Sequence, residues 1–410
     1  MTFIYSIIIQ IYYFLILVFS AFSTKAKFWI KGRRNWYKNL LETVSVNDQI
    51  AWFHCASLGE FEQGRTLIEA YKKRNPDHKI LITFFSPSGY QVRKNYSGAD
   101  YVFYLPLDTK RNAKRFIATV KPKVVFFVKY EFWYHFLNEL KSTGAPTYLV
   151  SAIFRPNQIF FKWYGGWNRR MLCCFTRIFL QDRRSKQLLA DIGYTNTTVA
   201  GDTRFDRVFA TAKSTKEIHL IKEFCGDSTI IVAGSTWPKD EELLIEFINT
   251  TSFPVKMIVA PHEISSQHIK NLCSAINHPV VRYTNSEPKN LRKYKVLALD
   301  TIGMLASAYQ YGHIAYVGGG FGAGIHNTLE PATFGIPVLF GPNFKKFREA
   351  CELIKIGAGT SVNTADELNV ALSNLLSNRS ILKEKGRKSR EYIVKNVGAT
   401  NIITEEISGI

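Results

Sequence analysis

Ser57 and Glu60 stand three residues apart in the stretch FHCASLGEFEQG (residues 53–64), directly after a hydrophobic run. That spacing is the capping box, in which serine accepts an amide of the first helical turn and glutamate reaches back to the serine amide. The same position, at the end of a strand in an α/β fold, is where ligands bind. A carboxylate there can serve as a general base. The helix start lowers the glutamate's pKa and partial burial raises it. Capping and proton abstraction both stay open on these residues alone.

A second group lies in VGGGFGAGIHNTLEPATFGIPVLFGP (residues 317–342), where Gly318, Gly319, Gly320, Gly322 and Gly324 follow an apolar run. Glycines let backbone amides approach an anion, and a helix expected to begin near Asn327 and Thr328 adds positive potential. Residues 318–323 match G-x-G-x-x-A, but late in the chain and without a well-placed acidic partner. Glu330, in the first turn, is placed either to accept ribose hydroxyls or to complement the helix dipole. Pro331 is tolerated there, because early helix amides need no intrahelical partner.

Three further strand ends carry polar residues. Ser235 and Thr236 precede Pro238 and an acidic helix start, as a cap or as a nucleotide loop. Glu131 follows the run KVVFFV, as a second site carboxylate or a first-turn residue. Pro261 and His262, in APHE, end another run; a lone histidine is more often structural, but this one shares its strand edge with the other candidates. The chain has no G-x-x-x-x-G-K-[ST], H-E-x-x-H, G-x-S-x-G or D-x-D. Transfer without a bound divalent metal, the phosphate held by helix dipoles and basic groups, suits this inventory.

Positioning these residues requires alternating strands and helices. Runs at 50–55, 79–85, 99–105, 123–128, 146–152 and 177–181 read as buried strands, as do 229–235, 255–261, 279–283, 295–300, 313–319 and 336–341. Amphipathic segments separate them, as in Phe61, Gly64, Leu67, Ile68 and Tyr71. The alternation predicts βαβ units, hence two mainly parallel α/β domains with a cleft between them. The polar segment 201–217 marks the boundary. Domains are expected over 25–205 and 206–410, with the last helix packing back on the first.

Residues 3–22 hold no charge, and twenty residues at 1.5 Å rise span about 30 Å, a bilayer's hydrocarbon thickness. Lys25, Lys27, Lys31, Arg33, Arg34 and Lys38 follow, among Trp29, Trp36 and Tyr37. Basic flanks stay cytoplasmic and aromatics settle at the interface, so residues 1–24 read as a single-pass anchor with the remainder on the cytoplasmic side. The 410 residues carry 53 Lys+Arg against 33 Asp+Glu, a net charge of +20, which suggests anionic partners. Six cysteines without a C-x-x-C pair indicate neither a zinc ribbon nor a disulfide framework.

Taken together, these stretches resemble the 3-deoxy-D-manno-octulosonic acid (Kdo) transferases of lipopolysaccharide synthesis over nearly the whole chain. The resemblance is carried by Ala56-Ser57-Leu58-Gly59-Glu60 and by Gly234-Ser235-Thr236 with Asp240-Glu241-Glu242. It extends through Asp300-Thr301-Ile302-Gly303, Tyr316-Val317-Gly318-Gly319 and His326-Asn327-Thr328-Leu329-Glu330-Pro331-Ala332, to residues 335–342. It implies a GT-B-type glycosyltransferase with two Rossmann-like domains, an inner-membrane anchor, no cofactor and no metal. It further implies inverting transfer of Kdo from CMP-Kdo to a lipid A precursor hydroxyl, next to anionic lipid and without nucleic acid. Glu60 would be the base. Ser57, Gly59 and Glu131 would lie on the acceptor side. Ser235, Thr236, Pro261, His262, Gly318, Gly319, Asn327 and Glu330 would hold CMP-Kdo. The family's P-R-H-P is here Pro261-His262-Glu263-Ile264, and its E-x-W-P-N is Glu131-Phe132-Trp133-Tyr134-His135. An epimerase of the same architecture, or a non-catalytic basic protein tethered to membrane, are the alternatives.

Overall fold

The computed structural model describes residues 1–287 and 290–408. The chain divides into two compact units, residues 1–207 with the C-terminal segment from Val397, and Val208–Asn396.

Among the described residues the first unit holds a parallel sheet of β1 (Ile50–Cys55), β2 (Lys79–Phe84), β3 (Tyr101–Tyr104), β4 (Val124–Val128), β5 (Thr147–Ala152), β6 (Arg177–Leu180) and β7 (Thr197–Val199). Its order is β3-β2-β1-β4-β5-β6-β7. Strands covered on both faces need unbroken apolar runs, and β1 and β4 are buried throughout. Strand β7 has three half-buried residues, too short and too polar to stand out in the sequence.

The second unit is likewise parallel. It holds β8 (Thr229–Thr236), β9 (Val255–Pro261), β10 (Val280–Arg282), β11 (Val296–Ala298), β12 (Ile314–Val317), β13 (Val338–Phe340) and β14 (Gly359–Ser361). Its order is β10-β11-β9-β8-β12-β13-β14. In each sheet one pair of neighbouring strands sends its onward connections in opposite directions: β1 and β4 in the first, β8 and β12 in the second. Such switch points open a crevice at the strands' carboxyl ends. The residues that follow these four strands are Ser57–Glu60, Glu131, the Ser235–Thr236 end of β8, and the glycine loop.

The C-terminal helix Ala399–Ser408 belongs to the first unit. Ile403 joins the apolar cluster of Phe53 and Phe61. Asp206 accepts the amides of Gly398 at 2.6 Å and Thr400 at 2.8 Å, and Glu406 pairs with Arg177.

The helix Thr2–Phe19, with mean hydropathy 2.1, is long and apolar enough to cross a membrane by length and composition. One edge of it meets the first unit. Ser6 Oγ lies 3.1 Å from His135 Nε2, and Ile9 is buried with Trp29 and Leu107. Phe3, Ile7, Ile11, Phe14 and Val18 are exposed on its other sides.

Candidate active site

In the first unit the site is built on the exits of β1 and β4. The helix Leu58–Arg74 begins at Ser57, and the capping box is formed: Ser57 N donates to Glu60 Oε2 at 3.1 Å, and Glu60 N to Ser57 Oγ at 3.5 Å. Buried Phe61, Gly64, Leu67, Ile68 and Tyr71 hold this helix on the sheet. At Gly64 a Cβ would approach Val128 Cγ2 to 3.1 Å, so the helix runs close over β4. Capping does not make Glu60 inert. Burial, reinforced by the charge of Glu131, pushes its carboxyl up to about 7, against the pull of the Ala56 and Ser57 amides and Lys129. The competition between helix start and burial is therefore won by burial. A carboxylate in this range is suited to take protons near neutrality.

Glu131 is buried, and its Oε2 accepts the Trp133 indole N–H at 2.6 Å and lies 3.1 Å from His54 Nε2. Lys129, just beyond β4, has φ 74°, a left-handed conformation that costs a non-glycine residue of order 1–3 kcal/mol and recurs at functional sites. Gly59 is exposed in the first turn of its helix.

In the second unit the site is built on β8, β9 and β12. Ser235 also has a left-handed backbone, φ 53°. Thr236 is buried and donates its hydroxyl to Glu241 at 2.9 Å, a packing role that directs this donor into the fold. Pro261 is the buried last residue of β9. His262 is exposed and stacks between Trp237, centroids 4.7 Å apart, and His326, at 4.6 Å. Trp237 Nε1 donates to His326 Nε2 at 3.1 Å.

The glycine loop departs from expectation in two respects. The amides of Gly318 and Gly319 are engaged inside the fold: Gly318 N donates to Gly234 O at 2.9 Å and Gly319 N to Asp240 Oδ2 at 2.8 Å. Gly318 is needed for close approach, since a Cβ there would lie 2.4 Å from Ser235 O. The following helix, Leu329–Thr333, has only five residues, so it lends less dipole than expected. Asn327 Oδ1 accepts Leu329 N at 3.1 Å, and its Nδ2 donates to Glu330 Oε1 at 3.0 Å.

Several residues here were not among the expected site groups. Asp240, fully buried, accepts Trp237 N at 2.9 Å, Tyr316 Oη at 2.8 Å and the Gly319 amide. The sequence signal is W-P-K-D, with proline at the first helical position and aspartate at the third. His54, Trp133, Trp237 and His326 also belong to these surroundings. A histidine inside the apolar run IAWFHC was the available cue for His54.

Two parallel sheets, each with polar residues gathered at its switch point, define a GT-B-type glycosyltransferase fold. A UDP-GlcNAc 2-epimerase from Neisseria meningitidis superposes with a TM-score of 0.62 at 16% identity, covering 88% of this chain and 100% of that one. A MurG structure from Acinetobacter baumannii gives 0.55 at 14% identity, covering 88% and 100%. These likenesses show the fold alone. Residues 30–207 match the family described as 3-Deoxy-D-manno-octulosonic-acid transferase (kdotransferase). A 3-deoxy-D-manno-octulosonic acid transferase of Aquifex aeolicus is 30% identical over 347 residues, 83% of this chain and 89% of that relative. The chain belongs to the Kdo transferase family and is a glycosyltransferase.

Proposed function

We propose that the chain moves Kdo from CMP-Kdo to a hydroxyl of a lipid A precursor, inverting the anomeric centre and releasing CMP. The observation that carries this is Glu60: a capped, half-buried carboxylate at the β1–β4 switch point, with its pKa raised to about 7. The acceptor O–H proton passes to the Glu60 carboxylate. The acceptor oxygen bonds to the anomeric carbon as the bond from that carbon to the CMP phosphate oxygen breaks, and the phosphate keeps the electron pair. Ser57, Gly59 and Glu131 bound the acceptor side. Ser235, His262, Asn327 and Glu330 hold the donor, while Thr236, Pro261, Gly318 and Gly319 shape the backbone beneath it. Residues 25–205, with the C-terminal helix packed on them, serve the acceptor, and the rest of 206–410 serves the donor.

The reaction as written needs neither metal nor cofactor. The Thr2–Phe19 helix anchors the chain in the inner membrane, with the catalytic domains on the cytoplasmic face. A cavity of about 760 Å³ lies between this helix and Lys27, Lys31 and Arg34. Those cations suit a phosphorylated lipid or an anionic leaflet, each contributing about 1 kcal/mol near such a surface. The test is incubation with CMP-Kdo and lipid A precursor, with and without EDTA, followed by mass spectrometry. The expected result is a precursor heavier by Kdo, with stoichiometric CMP and no effect of EDTA. CMP-Kdo consumed without a heavier lipid would overturn the acceptor assignment.

A further inference from the structure

A polar chain crosses the core of the first unit, and the proposed chemistry leaves it without a task. His54 is fully buried in β1, as are Trp52 two residues before it and Thr83 on the paired strand β2. Trp52 Nε1–H donates to Thr83 Oγ1 at 2.8 Å, and Thr83 Oγ1 lies 2.9 Å from His54 Nδ1. His54 Nε2 lies 3.1 Å from Glu131 Oε2, which also accepts Trp133 Nε1–H at 2.6 Å.

Trp133 Nε1 also lies 3.2 Å from His54 Nε2, but its shorter contact is to Glu131 Oε2 at 2.6 Å. The indole of Trp52 occupies one lone pair of Thr83 Oγ1, which leaves that hydroxyl able either to donate to His54 Nδ1 or to accept from it. The carboxylate oxygen 3.1 Å from Nε2 decides the tautomer: His54 carries its proton on Nε2 and donates it to Glu131, and Nδ1 accepts the Thr83 O–H. Glu131 receives two N–H donors on one oxygen, both of them charge-assisted bonds to an anion. A buried polar network so completely satisfied holds one geometry.

That geometry bears on Glu60. Strands β1 and β4 are paired in parallel, with His54 opposite Phe127, so Glu60 and Glu131 leave the same edge of adjacent strands. We propose that His54 is a positioning residue for the transfer reaction: through Nε2–H it fixes the ionised carboxylate of Glu131 at the strand edge that carries Glu60. The charged and titratable groups facing Glu60 are Glu131 and Lys129 from the segment after β4 and Cys55 from β1. Burial raises Glu60 most, and Glu131 adds to it against the pull of Lys129, which keeps Glu60 a strong enough base near neutrality. This inference rests on Glu60 being the base.

The experiment is the pH profile of kcat/KM with CMP-Kdo and lipid A precursor, for the wild type and for His54→Phe, His54→Gln, Thr83→Val, Glu131→Gln and Glu60→Gln. His54→Phe keeps ring volume and loses the N–H; His54→Gln keeps a donor. CMP binding and the unfolding midpoint report whether each variant is folded. The expected result is an ionisation that moves down by about one pH unit in His54→Phe and Glu131→Gln, by less in Thr83→Val, and returns toward wild type in His54→Gln. A merely structural histidine would lower rates equally at every pH. Profiles of folded His54→Phe or Thr83→Val that superimpose on wild type overturn the inference. If Glu60→Gln is inactive while those profiles superimpose, only the role of His54 falls. If Glu60→Gln is fully active, the assignment of the base falls with it.

Discussion

Tyr5 donates its hydroxyl to Asp108 Oδ2 at 2.5 Å, joining the apolar N-terminal helix to a carboxylate buried in the first unit. Asp108 also accepts the amides of His135 at 3.1 Å and Phe136 at 3.0 Å, at the start of the helix Tyr134–Thr143. That helix follows directly on Glu131 and Trp133, so one buried carboxylate ties the proposed anchor to the acceptor side. A hydrogen bond to a charged group contributes about 1.5–3 kcal/mol. Tyr5→Phe is expected to speed amide exchange at least about tenfold over residues 2–12 while leaving the second unit unchanged. Asp108→Asn extends the loss of protection to residues 135–137. Mass-spectrometric hydrogen exchange in detergent checks both.

Glu60→Gln separates capping from catalysis. Glutamine is accepted at this capping-box position, so the Ser57 amide keeps a partner and the fold is preserved. A general base contributes about 10²–10⁴-fold. Turnover is expected to fall by at least about 10²-fold, with CMP affinity measured by calorimetry unchanged. Wild-type turnover would leave Glu60 with a cap and nothing more.

The raised pKa of Glu60 also sets two pH dependences. Activity, which needs the carboxylate, should rise as pH climbs through about 7 and level off above it. Stability runs the other way. The folded pKa lies above the ordinary value of 4.5, so the folded state binds the proton more tightly. This contribution is complete below pH 4.5 and is lost as pH rises through about 7. Glu60→Gln does not titrate, so its unfolding midpoint relative to wild type should be higher at pH 8 than at pH 5, by about 2 °C or more. Scanning calorimetry at the two pH values reads this difference.

What could be read from the sequence follows the range of the interactions involved. The capping box of Ser57 and Glu60 is local, complete within four residues, and therefore legible in the sequence. Buried parallel strands announce themselves by apolar runs, as β1, β4 and β8 do. Strands β7 and β14, three residues each, carry too little apolar surface to do so. The bond between Gly319 N and Asp240 joins residues 79 positions apart and exists only once β8 and β12 pair. The relay from Trp52 to Glu131 likewise depends on three strands meeting, and its histidine hides in a run that reads as core. The glycine loop was visible, but its first two amides face inward, which spacing alone does not reveal.

Asp240→Asn tests the device that holds that loop. The carboxylate accepts Tyr316 Oη, Trp237 N and Gly319 N with no exposure to water. Asparagine offers one acceptor oxygen, and its amide group turns donors toward donors. A buried donor left unpaired costs about 1–3 kcal/mol. CMP affinity is expected to drop at least about tenfold, and the unfolding midpoint to fall by several degrees. The first unit should keep wild-type exchange rates.

Gly59 gives the sharpest division between fold and function. It sits in the first turn of the Leu58–Arg74 helix, between the cap and Glu60, and is exposed. An added Cβ would meet only Ser57 Oγ, at 3.9 Å, so packing does not demand glycine. Helix propensity argues against it, since alanine is favoured by roughly 1 kcal/mol in a helix interior. Under the proposed function the remaining reason for glycine is space, because a methyl group here would stand in the path proposed for the acceptor to Glu60. Gly59→Ala should therefore hold or raise the unfolding midpoint and leave CMP affinity alone, while kcat/KM for the lipid acceptor falls by at least about tenfold. Steady-state kinetics with varied acceptor, set beside calorimetry on the same preparation, decide the point. Unchanged kinetics in the alanine variant would mean that nothing passes over this turn and that the acceptor reaches Glu60 from another side.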